Sequence, residues 1–89
     1  MTWQIRLSST AAKYYNRLTP QTRQRVKKEP EALSDLENPL EHQSVKRLTG
    51  DMRGFCRLRV GKYRIVFAIL EDDRTIAVVN IVPHGNVYK

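Results

Sequence analysis

Residues 63–70 read YRIVFAIL, a run that is apolar on both faces apart from Arg64. A segment of that kind belongs in the middle of a sheet, where neighbouring strands and packed layers cover it. The chain supplies neighbours on both sides. Just before it, Cys56, Leu58 and Val60 alternate with Arg57 and Arg59, so one face is apolar and the other basic. Gly61-Lys62 joins the two as a tight turn. After it, Asp72-Asp73 turns the chain again, and Thr75 to Val82 reads as another fully apolar strand. Three consecutive strands therefore close the domain.

The N-terminal half carries a different period. Trp3, Ile5 and Leu7 alternate with Gln4, Arg6 and Ser8, which predicts a half-buried strand. Ser8, Ser9 or Thr10 can cap a helix running through Leu18, with Ala11, Ala12, Tyr15 and Leu18 on one stripe. Thr19-Pro20 restarts the chain as an N-cap followed by proline at the first helical position. The second helix carries Val26, Leu33 and Leu36 near helical spacing. Pro30 should kink or split it, since its ring removes a hydrogen bond and restricts Glu29. Asn38-Pro39 should end it, and Leu40 to Asp51, with Val45 and Leu48, is a polar connection lying across the sheet. The order is βααβββ. This is an α+β fold: an N-terminal strand and a helical hairpin on a mainly antiparallel four-stranded sheet, forming one domain over residues 1–89.

Charge narrows the partners. The formal net charge is +7, unevenly distributed. Residues 1–28 carry seven Lys/Arg and no acid, residues 29–41 five acids and no base, and residues 42–89 nine bases and four acids. A surplus of this sign on a small domain favours polyanions, nucleic acid first and an acidic protein second. The lone Cys56 cannot form an internal disulfide, points to a reducing cytoplasm, and reads as a small buried hydrophobe. MTWQIRLSS lacks the apolar core of a signal peptide, and IVFAIL is far too short to span a membrane. Two histidines and one cysteine offer no metal-ligand spacing, so no cofactor is expected.

Residues 53–67, RGFCRLRVGKYRIVF, raise two chemical readings. The opening Arg53-Gly54-Phe55 is similar to a base-stacking strand of the RNA-recognition motif. That module requires βαββαβ order, and here Arg57 and Val60 stand where stacking aromatics belong. The other reading is a cationic cradle. Strand parity puts Arg57 and Arg59 on one face, with Arg64 just past the turn, close enough to converge on one phosphate. Arg64, the lone charge in an apolar strand, needs either an acidic partner within the fold or an anion site.

The stretch VKRLTGDMRGFCRLRVGKYRIVFAI, followed by VPHGNVYK, resembles the RelE/ParE superfamily of bacterial toxins, and its RelE-like branch in particular. The resemblance spans nearly the whole chain and is densest from Val45 to Phe67. It implies a cytoplasmic toxin, co-expressed with an antitoxin, that cleaves messenger RNA in the ribosomal A site without a metal. The RNA's own 2′-hydroxyl would attack the adjacent phosphate. Carried over by position, Arg57 and Arg59 match the paired basic residues of one strand, Arg64 the arginine after the aromatic of the next, and Tyr88 the C-terminal tyrosine. His84 stands where many relatives carry arginine, and imidazole is the better proton donor near neutrality. This makes Arg59, Arg64, His84 and Tyr88 the catalytic candidates. Arg57, Lys46 and Arg47 are the RNA- and phosphate-binding candidates. His42 reads as ordinary surface. Two rival readings remain: a ParE-like inhibitor of DNA gyrase with no nuclease activity, and an inactive toxin that only binds antitoxin.

Overall fold

The computed structural model describes residues 3–83. The elements are β1 (Gln4–Leu7), α1 (Ser9–Arg17), α2 (Pro20–Ser34), β2 (Val45–Arg47), β3 (Cys56–Val60), β4 (Tyr63–Leu70) and β5 (Thr75–Pro83). They form one sheet in the order β1-β5-β4-β3-β2. The β2–β3, β3–β4 and β4–β5 ladders are antiparallel, and β1 runs parallel to β5. The expected α+β architecture is present, but the sheet has five strands where the sequence suggested four. The extra one is β2, inside the stretch read as a polar connection. Three residues are too few to show a period, and pairing with β3 makes the strand.

Both helix starts follow their side chains. Ser8 Oγ accepts from Ala11 N at 3.0 Å, and Thr19 Oγ1 accepts from Thr22 N at 3.3 Å, with Pro20 opening α2. Caps of this kind are each worth about 1 kcal/mol. Pro30 does not split α2, which runs unbroken to Ser34. A mid-helix proline costs about 3 kcal/mol. Pro30, Leu33 and Ser34 are all buried, and burial of this last turn against the sheet offsets the lost bond. The helix also ends before Asn38-Pro39. That pair opens a short 3-10 turn instead, Asn38 Oδ1 accepting from Leu40 N at 3.1 Å.

The core lies between the hairpin and one face of the sheet. Ala11, Val26 and Leu33 pack with Leu58, Ile65, Phe67, Ile76, Val78 and Ile81. Each large side chain buried there contributes about 1.5–3 kcal/mol. In β5 the buried hydrophobic residues are spaced 76, 78, 81, which breaks a strict alternation. The register shifts between Val66 and Phe67, whose partners are Asn80 and Val78, leaving Val79 as the bulged residue. The bulge returns Ile81 to the core side. Of the alternating residues at the N-terminus, Trp3 is buried and Ile5 half-buried, but Leu7 is 42% exposed at the end of the edge strand. Trp3 is fixed by indole hydrogen bonds to Leu36 O (3.1 Å) and Glu37 O (3.3 Å). The Arg74 guanidinium lies 4.7 Å from its ring centroid.

Candidate functional site

Strand register decides which cations meet. Arg59 lies directly opposite Arg64 across the β3–β4 ladder, and Lys46 lies opposite Arg57 across β2–β3. Opposed residues share a face, with Cβ atoms about 4.5–5.5 Å apart. Arg57 and Arg59, two residues apart on β3, share that face at roughly 7 Å. The alternate positions, Cys56, Leu58 and Val60, are buried toward the hairpin. The four cations therefore stand together on the outer face of the sheet. Arg6 joins the same face further along, since it pairs with Ala77, which pairs in turn with Ala68.

No carboxylate balances them from within the strands. The five strands hold six Lys/Arg (one in β1, two in β2, two in β3, one in β4) and no Asp or Glu. Arg59 is exposed, whereas Arg57 and Arg64 are half-buried, and Arg64 is further engaged by its surroundings. Like charges directly opposite one another are destabilising, so the face is maintained against electrostatic repulsion. Arg59→Gln should accordingly raise the melting temperature at low salt by up to a few degrees, from about 0.2–1 kcal/mol of relieved repulsion. The gain should shrink at high salt, where charges are screened beyond roughly 3 Å. Melts at both ionic strengths check this, and an unchanged or lowered melting temperature at low salt counts against it.

Arg47 does not join the cluster. It pairs with Cys56, on the face turned toward the hairpin. Burial pushes the Cys56 thiol above its ordinary pKa, and the nearby Arg47 charge opposes that only in part. The thiol is neutral and 7% exposed, a packing residue and not a nucleophile. Arg47, Cys56, Trp3, Phe55, Ile69 and Arg74 line part of a groove of about 800 Å³ on this helix side. The volume lies on the opposite side of the sheet from the paired cations. His42 has a structural place, its Nδ1 accepting from Ser44 N at 3.1 Å in the turn before β2.

His84 and Tyr88 lie outside the described residues. The last described residue, Pro83, pairs with Tyr63, one step from the Arg64–Val82 pair. Strand β5 thus ends at the same end of the sheet as Arg59 and Arg64.

Three further groups were not singled out by the sequence. Arg25 of α2 reaches the β3–β4 turn: a Cβ added to Gly61 would meet its guanidinium at 3.1 Å. Gly61 is needed there for its φ of +56° as well. No sequence signal marks that approach. Arg6 needed the β1–β5 register to be placed. Asn80 had a signal, as the lone amide in an apolar strand.

Comparison with known proteins agrees with this fold. The family model described as the ParE toxin of type II toxin-antitoxin system, parDE, matches residues 5–88. A Methanocaldococcus jannaschii protein carrying the name toxin RelE1 is 29% identical over 89 residues, covering 100% of this chain and 98% of its own length. Among solved structures, the archaeal RelE–RelB complex from Pyrococcus horikoshii OT3 matches with a TM-score of 0.78 at 23% identity, covering 98% of this chain and 100% of that one. The toxin-antitoxin complex RelBE2 from Mycobacterium tuberculosis matches with a TM-score of 0.81 at 22% identity, covering 97% and 95%. The isolated E. coli RelE toxin matches with a TM-score of 0.75 at 15% identity, covering 96% and 87%.

Proposed function

As this chain belongs to the ParE toxin family of type II toxin–antitoxin systems, within the RelE/ParE superfamily, we propose that it is a ribosome-dependent mRNA endonuclease held in check by a cognate antitoxin. The observation that carries this reading is the Arg59–Arg64 pair, set beside Lys46–Arg57 on strands without a single carboxylate. Such a face suits a polyanion whose phosphates take up the repelled charges.

In this reaction the 2′-hydroxyl gives up its proton as its oxygen bonds to the adjacent phosphorus, the bond from phosphorus to the 5′-oxygen breaks, and the departing 5′-oxygen takes up a proton. The products are a cyclic phosphate and a 5′-hydroxyl. Charge builds on the phosphorane oxygens in the transition state, and preorganised guanidiniums aimed there lower the barrier. Arg59 and Arg64 take that role. Arg57 and Lys46 hold neighbouring backbone phosphates, while Arg47, on the other face, has no part in the site. His84 supplies the proton to the departing 5′-oxygen, and Tyr88 stacks on a base or assists proton transfer. The antitoxin partner is supported by the neighbouring structures that are themselves toxin–antitoxin complexes.

The family description favours a second reading, a ParE-type toxin that inhibits DNA gyrase by protein contact. Gyrase inhibition requires no phosphate cradle, so the paired arginines favour the nuclease. Primer extension on a translated message after brief induction decides between them. The expected result is breaks within codons that are absent from untranslated RNA and that persist in EDTA when ribosome integrity is separately controlled. Uncut message together with blocked supercoiling by gyrase would select the second reading.

A further inference from the structure

Asparagine is a poor strand residue, and a half-buried amide inside an apolar strand has to be satisfied. Asn80 sits in such a place, within TIAVVNIVP, beside the β5 bulge. It pairs with Val66, which pairs with Arg57, which pairs with Lys46. All four share the outer face, one row from Arg59 and Arg64. Among the described residues the Asn80 side chain makes one hydrogen bond: Ile81 N donates to Oδ1 at 2.9 Å. Only the carbonyl oxygen of an amide can accept from a backbone N–H, so this contact fixes which end of the side chain is which. The oxygen is committed to the protein, and the Nδ2 end, with two hydrogens, is left to donate.

We propose that Asn80 is a specificity-determining residue that reads a base of the bound RNA strand, favouring uracil, with a carbonyl at its 4-position, over cytosine, with an amino group there. The inference rests on the outer face being the RNA surface. A donor-only group pairs with uracil O4 and meets donor against donor at the cytosine 4-amino group; among purines, guanine offers it O6 and N7, and adenine N7 alone beside its amino group. The cations on either side hold phosphates and carry no sequence information. Asn80 is the uncharged polar group in their midst that can supply it.

The test uses end-labelled oligouridine and oligocytidine of equal length, which differ at the base edge and not in charge. Binding to purified wild-type toxin, Asn80→Asp and Asn80→Ala is followed by fluorescence anisotropy at low salt. Asn80→Asp keeps an oxygen for Ile81 N and turns the outward group from donor to acceptor. Wild type should prefer oligouridine by about fivefold or more, the lower end of what one good base contact provides. Asn80→Asp should reverse the preference, and Asn80→Ala should abolish it. An added negative charge weakens both ligands alike, so the ratio isolates base reading. A merely structural role at the bulge would leave the ratio unmoved. A wild-type ratio of one, a preference that survives in both variants, or no binding of either oligomer would overturn the proposal. An Asn80-dependent ratio in a protein that leaves translated message uncut would uphold it and remove the nuclease reading alone.

Discussion

Replacing Arg64 by alanine should leave a folded protein that cleaves translated message about 10²–10³-fold more slowly, the usual loss for one preorganised charge donor. Arg64 is the more constrained member of the pair. It is half-buried, on a central strand between Val82 and Arg59, and held by its surroundings. Arg59, on the same face, is exposed. The competing explanation is structural: breaking a buried ion pair by removing one partner costs about 3–5 kcal/mol. A thermal melt separates the two. A near-native melting temperature with lost cleavage supports a role at the phosphate, and a collapsed one assigns Arg64 to the fold. Arg64→Lys sharpens the test, because it keeps the charge but not the planar fork that grips two phosphate oxygens at once. It should recover only part of the rate. Full recovery would mean that charge alone matters there.

The elements easiest to read in the sequence were those whose side chains carry their own instructions. Thr19 before Pro20 marks a helix start whatever surrounds it, the first helix start is narrowed to Ser8, Ser9 or Thr10, and Cys56, Leu58 and Val60 announce a strand by parity. Residues 75–83 were legible as a strand but not in detail. A run apolar at nearly every position has no alternation to interrupt, so the bulge at Val79 left no trace. The split allowed for at Pro30 is missing for another reason. The proline's local cost is visible in the sequence, while the burial of Pro30, Leu33 and Ser34 that outweighs it exists only in the packed protein.

The candidate site was half legible for the same reason. Arg57, Arg59 and Arg64 could be placed together because two strands and one tight turn set their relation locally. Lys46 and Arg47 could not be told apart, since their difference is one of parity in a strand too short to recognise. Pairing with β3 sends Lys46 to the cationic face and Arg47 to the helix side. Their substitutions should differ accordingly in RNA affinity. A pair of adjacent basic residues is thus one member of the outer-face cluster and one neighbour of a buried thiol.

His84 carries the largest expected effect on the chemistry. His84→Ala should lower single-turnover cleavage on programmed ribosomes by roughly 10²–10⁴, the span of general acid–base groups. The argument is chemical. The departing 5′-oxygen needs a proton, guanidinium holds its own far too tightly to lend it near neutrality, and imidazole does not. An imidazolium acting as acid must be protonated, so wild-type cleavage should fall as the pH rises through its pKa. Measured between about pH 5.5 and 8.5, which brackets the reference histidine value, the wild type should show that descending limb. His84→Ala should be slower and flat over the same range. His84→Arg should regain stabilisation of the phosphorane charge without regaining the limb, because arginine stays protonated throughout. Those two variants separate the proton from the charge. If His84→Ala instead cleaves at the wild-type rate across the whole range, the acid has to be sought at Tyr88 or among the arginines of the outer face.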